Sequence, residues 1–192
     1  MKISLLGDSI RIGAGPGVNG YGKRTRELLG PDFEVFEPDD NCRFAKYTLR
    51  GIFDWRENME GSRIVHWNNG LWDICDIFGD GDPFCTVDEY VSVMLRIARI
   101  LKSRYDVVIF ATTTPVLDTN PYNKNSTIEQ FNAALVPELE KLGVVINDLH
   151  SLVNADRDRY LHSDTLHLSD EGVELCAQAV AAVIKREAQR LS

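Results

Sequence analysis

Five short apolar runs alternate with longer helical patterns along the chain, and this alternation constrains the fold more than any other feature. The runs are rich in β-branched or aromatic residues and are bounded by turn residues, as buried strands are. They span Ile3–Leu6, Phe33–Phe36, Arg63–Trp67, Val107–Ala111 and Val144–Asn147. Continuously apolar strands suit a sheet that is covered on both faces. The alternation therefore predicts an α/β fold, a three-layer α/β/α sandwich around a five-stranded parallel sheet.

Three of the intervening segments have an amphipathic pattern of helical period. Val87–Ser103 carries an apolar stripe, with acidic residues near its start and basic residues near its end that suit the helix dipole. Ser126–Leu142 has the same pattern, and Gly143 is its expected C-cap. Asp170–Arg190 is predicted to be the last helix, with Ser169 as its N-cap.

Two stretches, Gly13–Gly22 and Asp73–Pro83, show neither period, and long loops in a compact domain often carry function. The first nearly matches two nucleotide-binding glycine motifs. It lies too far past the first strand for either, and the residue directly after Lys23 is Arg24 and not Ser or Thr. We expect it to form a rim over a functional site, with Tyr21 available for stacking on a substrate. A plain flexible loop is the alternative. The second stretch is acidic without calcium-binding spacing, which favours a solvated loop.

The composition is that of an ordinary soluble globular protein, with 26% charged and 44% hydrophobic residues. The 192 residues are expected to form one domain, residues 1–192. The formal net charge of -8 and the lack of a basic stripe argue against binding to nucleic acid or to an anionic membrane. No signal peptide or membrane-spanning run is present in the sequence, so we expect a cytoplasmic location.

The four cysteines show no metal-binding spacing. They are Cys42, Cys75, Cys85 and Cys176. No CxxC pair is present, so a zinc ribbon is not supported. We expect reduced thiols, as in most cytosolic proteins. A bridge between Cys75 and Cys85 is the alternative, and it would require an oxidising compartment.

The tripeptide Gly7-Asp8-Ser9 follows directly after the first predicted strand. Ligands of doubly wound sheets bind at the carboxyl ends of the strands, so Ser9 is well placed for catalysis. Gly7 would permit a tight turn, and Ser9 would begin a helix whose N–H groups can stabilise an oxyanion. The alternative is that Ser9 only caps the helix.

A second candidate segment, Asp164-Thr165-Leu166-His167, lies just before the last predicted helix. A serine nucleophile needs a base, and the base needs an orienting carboxylate. An aspartate three residues before a histidine on one tight loop can reach its Nδ1 atom, leaving Nε2 for the serine. The alternative is a capping aspartate beside a surface histidine. Three other histidines compete for the role of base: His66, His150 and His162.

Together, the two segments resemble the SGNH (GDSL-like) hydrolase family, whose first block is the GDS at Gly7–Ser9 and whose last block is the DxxH at Asp164–His167. The resemblance implies a flavodoxin-like sandwich. It also implies hydrolysis of an ester through an acyl-serine intermediate, with Ser9 as nucleophile, His167 as base and Asp164 orienting that base. It implies no metal and no cofactor.

The middle blocks depart from the family pattern, so the oxyanion donors are less certain from the sequence. Where the family has GxND, this chain has Asn68-Asn69-Gly70-Leu71-Trp72-Asp73, and Trp72 aligns with the usual asparagine. We expect Asn69, or as the alternative Asn68, to supply the donor, unless both only bond turn backbone. The block II segment lacks glycine, and Arg43 in its place could direct its backbone N–H or its guanidinium at the acyl oxygen. A solvated surface arginine is the alternative. The candidate oxyanion- or substrate-binding residues are Asn69, Asn68, Arg43, Asp8 and Trp72.

The expected function is that of a serine ester hydrolase of the carboxylesterase or acetylesterase type, acting on a small-molecule ester. An acylated carbohydrate is one candidate substrate. The alternatives are a lysophospholipase or thioesterase acting on longer acyl chains, and a catalytically silent sandwich that binds a glycan or a protein partner. The oligomeric state is not predicted.

Overall fold

A computed structural model describes residues 1–191 of the chain. Its strands are β1 (Lys2–Leu6), β2 (Gly13–Gly15), β3 (Val18–Asn19), β4 (Glu34–Phe36), β5 (Ile64–Asn68), β6 (Val107–Ala111) and β7 (Val145–Asn147). Its helices are α1 (Ser9–Ile12), α2 (Tyr21–Leu29), α3 (Ala45–Asp54), α4 (Arg56–Met59), α5 (Leu71–Ile74), α6 (Val87–Lys102), α7 (Asn125–Lys141), α8 (Leu149–Asn154), α9 (Arg157–Tyr160) and α10 (Asp170–Arg190).

Five strands form a parallel sheet in the order β4-β1-β5-β6-β7. Every residue of β5 is buried, and so is all but the first residue of β1 and of β6. Side chains covered on both faces explain why these segments are continuously apolar. The predicted α/β fold with a five-stranded parallel sheet is confirmed, and each predicted strand matches an observed one to within one residue at each end.

Helices flank the sheet and complete the three-layer sandwich. They form two groups. In one group α2 packs against α10 and α1, and in the other α6 packs against α3 and α7. The N-cap of α10 is Ser169, as predicted, because its hydroxyl accepts a hydrogen bond from the Gly172 N–H at 3.1 Å. The C-cap of α7 is Leu142, one residue before the predicted Gly143. Gly143 follows at φ 71°, a left-handed conformation that glycine adopts at little cost.

The stretch Gly13–Gly22 is more ordered than its sequence indicates. β2 and β3 pair as an antiparallel hairpin, and α2 begins at Tyr21. The prediction of an irregular rim is therefore wrong, because glycine at three of the first five positions hides the strand signal. Tyr21 is fully buried, so the prediction that it stacks on a substrate is also wrong.

The buried apolar side chains of residues 1–191 form one continuous cluster on both sides of the sheet. The predicted domain extends one residue beyond this described part, and the single-domain assignment stays a prediction. The four cysteines are free thiols. Among the described helices, none combines the length and the hydrophobicity that crossing a membrane requires.

Candidate active site

The turn from β1 into α1 lies at the carboxyl end of the sheet, beside the end of β5. A Cβ atom at Gly7 would overlap the Asn68 Oδ1 atom, so only glycine fits this turn. Asp8 is the N-cap of α1, and its Oδ1 accepts a hydrogen bond from the Ile10 N–H at 3.0 Å. Ser9 is the first helical residue and not the cap, which leaves its hydroxyl available for another partner.

That partner is His167. Its Nε2 atom lies 2.9 Å from the Ser9 Oγ, and its Nδ1 atom lies 2.8 Å from the Asp164 Oδ2. In the tautomer that donates from Nδ1 to Asp164, Nε2 accepts the proton of the Ser9 hydroxyl. The structure thus brings the three predicted catalytic residues into one hydrogen-bonded series, with Ser9 buried and His167 largely buried.

The loop that carries Asp164 and His167 is held by backbone hydrogen bonds. The Asp164 Oδ1 accepts from the N–H groups of Leu166 and His167 at 3.0 and 2.9 Å. The His162 N–H donates to the His167 carbonyl at 2.7 Å, and Thr165 adopts φ 75° between them. Partial burial acts to raise the pKa of Asp164, but the hydrogen bonds from Leu166 and His167 outweigh it and lower the pKa to about 2. Asp164 therefore remains a carboxylate at any pH near neutrality.

The other histidines have different environments. His162 lies on the same loop, with its Nδ1 3.5 Å from the Asp164 Oδ2, but Asp164 bonds His167 at the shorter distance and His162 makes no hydrogen bond to Ser9. Burial lowers the pKa of His66 to about 3 and also lowers the pKa of His150. Only His167, among the four histidines, is hydrogen-bonded to Ser9.

A buried chain of hydrogen bonds leads from α2 to the nucleophile turn. The Tyr21 hydroxyl donates to the Asn68 Oδ1 at 2.7 Å, and the Asn68 Nδ2 donates to the Asp8 Oδ1 at 2.7 Å. Burial raises the pKa of Asp8 to about 6, although the hydrogen bonds from Ile10 and Asn68 act to lower it. Asn68 and Asp8 thus hold the start of α1, and both the Oδ1 and the Nδ2 of Asn68 make hydrogen bonds there.

The amide of Asn69 is also engaged within the protein. Its Nδ2 donates to the Arg43 carbonyl at 2.8 Å, and its Oδ1 accepts from the Thr48 hydroxyl at 2.9 Å. Its side chain is fully buried. Each of the two Nδ2 atoms thus donates to a partner within the protein, and neither asparagine lines the cleft beside Ser9, which the sequence could not show.

Arg43 adopts φ 47°, a left-handed conformation that glycine adopts more readily than arginine. Its own N–H donates to the Asn41 Oδ1 at 2.8 Å, and its guanidinium lies over the Tyr47 ring. Since the Arg43 carbonyl faces Asn69, the trans peptide directs the Phe44 N–H the opposite way. Within residues 1–191, the N–H groups of Phe44 and Ser9 have no hydrogen-bond partner.

A cleft of about 320 Å³ opens beside Ser9 and His167. Its other lining residues are mainly apolar: Phe44, Leu71, Trp72, Cys75, Ile77, Phe84, Tyr122, Asn123 and Leu166. Trp72 is thus at the cleft, as predicted for a residue beside the site, whereas no residue of the Gly13–Gly22 stretch lines it. Sequence reasoning missed most of these residues. The one available signal was apolar side chains within an otherwise polar loop.

Asp73, at the start of the loop predicted to be solvated, is buried. Both of its carboxylate oxygens accept from the Ala45 N–H, at 3.0 and 3.1 Å, so it caps α3 from a distant segment. Burial raises the pKa of Asp73 to about 7, although the Ala45 hydrogen bond acts to lower it. Asp80 and Asp82 are exposed, as expected, whereas Asp76 is half-buried and accepts hydrogen bonds from the N–H groups of Gly79 and Gly81.

The described residues contain no group of three or more His, Cys, Asp or Glu side chains that could hold a metal ion. The arrangement at Ser9 is instead that of a hydroxyl nucleophile with an oriented base, which is suited to acyl transfer.

Comparison with known proteins reveals similarity in structure only. No family model and no curated protein matches the sequence. A lipase/acylhydrolase from Enterococcus faecalis is similar at a TM-score of 0.78 and 20% identity, covering 97% of this chain and 96% of the other. The acetylxylan esterase Axe2 from Geobacillus stearothermophilus is similar at a TM-score of 0.72 and 18% identity, covering 94% of this chain and 92% of the other.

A third solved structure, a member of the lipolytic G-D-S-L family from Veillonella parvula, gives a TM-score of 0.74 at 16% identity and covers 96% and 98% of the two chains. These similarities extend over nearly the whole of each chain. The chain therefore has the fold of the SGNH (GDSL-like) hydrolases, as the resemblance of its two terminal motifs implies.

Proposed function

We propose that this protein is a serine ester hydrolase in which Ser9 is the nucleophile, His167 the general base and Asp164 the residue that orients the base. The observation that carries this proposal is the hydrogen-bonded series from Ser9 Oγ through His167 to Asp164, with distances of 2.9 and 2.8 Å. Nucleophile, base and orienting carboxylate within hydrogen-bond reach are the geometric signature of acyl-transfer enzymes.

In the proposed reaction, the Ser9 Oγ attacks the ester carbonyl carbon while His167 Nε2 takes the hydroxyl proton. The tetrahedral intermediate collapses, and His167 returns that proton to the departing alcohol oxygen. A water molecule then gives a proton to His167 and attacks the acyl-serine. The acid leaves, and Ser9 regains its proton from His167. Asp164 stabilises the imidazolium that forms in each half.

We assign the oxyanion donors to backbone N–H groups in place of the asparagine side chains. The Ser9 N–H is the first of α1, where helix N–H groups lack internal partners and the dipole favours negative charge. The Phe44 N–H is directed away from Asn69, and the Phe44 side chain lines the cleft. Both groups are free of protein partners within the described chain, as an oxyanion hole requires.

The first test combines hydrolysis of p-nitrophenyl acetate with labelling by a fluorophosphonate probe. We expect the wild-type protein to hydrolyse the ester and to be labelled, and the Ser9→Ala variant to do neither. Ser92→Ala changes an exposed serine on α6 and is the matched control. A Ser9→Ala variant with unchanged turnover would refute the nucleophile. A wild-type protein that is neither active nor labelled would favour the catalytically silent binding protein.

Two substrate classes are compatible with this chemistry. Acetylated carbohydrate is suggested by the acetylxylan esterases among the similar structures, which share the fold at low identity. A longer acyl chain is favoured by the apolar lining of the cleft beside Ser9. A cytoplasmic location remains part of the proposal and is tested by fractionation of cells that produce the protein.

A further inference from the structure

The cleft beside Ser9 is lined by side chains that cannot satisfy the hydroxyl groups of a sugar. Phe44, Leu71, Ile77, Phe84 and Leu166 offer no side-chain hydrogen-bonding atom. Buried hydroxyl groups without partners cost free energy, so a carbohydrate would bind poorly in such a cleft.

The few polar groups of the lining do not change this conclusion. Asn123 is buried, its Nδ2 donates to the Leu71 carbonyl at 3.4 Å, and its Oδ1 accepts no hydrogen bond within the described chain. Tyr122 and Trp72 are about half exposed and present large aromatic surfaces. The polar atoms of these three side chains are too few to pair with all the hydroxyl groups of a sugar substrate.

Exposed apolar surface is concentrated at this cleft. Eight large hydrophobic side chains are exposed within residues 1–191, and four of them line it. These four are Trp72, Ile77, Phe84 and Tyr122. A contiguous exposed apolar patch on a soluble protein marks a binding site, and here it adjoins the proposed nucleophile.

The loop after α5 forms much of this wall. It carries Ile77 and Phe84, and the Phe84 ring packs on Phe44 with the ring centroids 5.6 Å apart. The turn within the loop is held by the Asp76 carboxylate, which accepts from the N–H groups of Gly79 and Gly81. The apolar side chains are thus presented by a loop with its own hydrogen bonds.

We propose that this cleft binds the acyl chain of a medium-length ester, such as an octanoyl group, and that the loop with Ile77 and Phe84 sets the preference for chain length. This inference rests on the proposed function of Ser9. The acyl group remains bonded beside Ser9 through both halves of the reaction, so a cleft lined by Ser9 contacts it in both. An acetyl group would leave most of the cleft unfilled.

The test measures kcat/KM for p-nitrophenyl acetate, butyrate and octanoate, which share one leaving group. We expect kcat/KM to rise with chain length, by up to about fourfold for each methylene that becomes buried. Ile77→Asn places an amide in the wall and should lower the octanoate-to-acetate ratio at least threefold. Leu152→Asn, at a similarly exposed apolar residue on α8 away from the cleft, should leave both rates unchanged.

A second pair of substrates separates the acyl side from the alcohol side. Methyl octanoate and octyl acetate place the same apolar chain on opposite sides of the ester bond, and we expect methyl octanoate to be the better substrate. Preference for octyl acetate, for p-nitrophenyl acetate over the octanoate, or for acetylated xylo-oligosaccharides would overturn this inference while leaving the proposed function intact. If the wild-type protein hydrolyses none of these esters and is not labelled by the fluorophosphonate probe, the proposed function itself is refuted.

Discussion

The Ser9 Oγ and the His167 Nε2 lie 2.9 Å apart although the two residues are 158 positions apart in sequence. The distance predicts that His167, and no other histidine, is the base. We expect His167→Asn to reduce kcat by at least about 10³-fold, as loss of a base does in serine hydrolases. His162→Gln changes the neighbouring histidine and should alter kcat less than about threefold. Comparable losses in the two variants would contradict the assignment of His167.

Asp164→Asn tests the orienting role of the carboxylate. In this variant the amide oxygen would keep accepting from the Leu166 and His167 N–H groups, so the amide nitrogen would face the His167 Nδ1. Because that nitrogen donates, it favours the tautomer that carries its proton on Nε2 and cannot accept from Ser9, and kcat should fall by roughly 10²–10⁴-fold. Because hydrogen bonds lower the pKa of Asp164 to about 2, its charge is constant over the working range. The loss should therefore be similar at pH 6 and pH 8. A loss confined to one end of that range would show that Asp164 titrates, contrary to this expectation.

The buried carboxyl group of Asp73 should make the free energy of unfolding depend on pH. Burial raises the pKa of its carboxyl from 3.8 to about 7, so between these values the folded chain binds a proton that the unfolded chain does not. The free energy of unfolding therefore falls as the pH rises through this window. Asp73→Asn keeps an acceptor for the Ala45 N–H without the buried charge. It should raise the free energy of unfolding by roughly 2 kcal/mol at pH 8 and change it little at pH 4.

The matched control for this experiment is Asp80→Asn, in the exposed part of the same loop, which should change the free energy of unfolding by less than about 0.5 kcal/mol at both pH values. Urea denaturation at pH 4 and pH 8 supplies the measurement. An equal gain from Asp73→Asn at the two pH values would show that the charge of Asp73 is not the cause.

Tyr21→Phe tests the buried chain that leads to the nucleophile turn. The change removes the donor to the Asn68 Oδ1 and leaves that atom buried without a partner, at a cost of about 1–3 kcal/mol in the free energy of unfolding. Because Asn68 also holds Asp8 at the start of α1, we expect kcat to fall while KM changes little.

Tyr105→Phe is the control, because its hydroxyl makes no hydrogen bond in the part of the chain that the structure describes. It should change the free energy of unfolding by less than about 0.5 kcal/mol. If Tyr21→Phe changes stability and kcat no more than Tyr105→Phe does, the hydrogen bonds from Tyr21 through Asn68 to Asp8 do not position the nucleophile turn.

The sequence predicts those parts of the molecule whose signal is local. The sheet strands are short apolar runs between turn residues, because burial on both faces selects every side chain in them. Ser9 and the Asp164–His167 loop could be proposed because each motif adjoins the end of a predicted element. Their contact follows from the parallel topology, which brings strand ends to one edge of the sheet.

The features that the sequence does not predict depend on contacts between distant segments. Asn69 is a plausible oxyanion donor until its amide is found between Arg43 and Thr48. Tyr21 is an exposed loop residue by pattern, but it is buried because α2 begins there and its hydroxyl meets Asn68. The apolar cleft is built from loop side chains that share no periodicity, so no window of sequence reveals it.

The distance along the chain between Ser9 and His167 also has a consequence for biosynthesis. The nucleophile turn leaves the ribosome well before the loop with Asp164 and His167 and before helix α10. A nascent chain halted before that loop carries Ser9 without a base. Hydrolytic activity would then require translation past His167 and formation of the contact between Ser9 and His167. Contacts between residues so far apart in sequence form slowly, because long chain segments must be brought together.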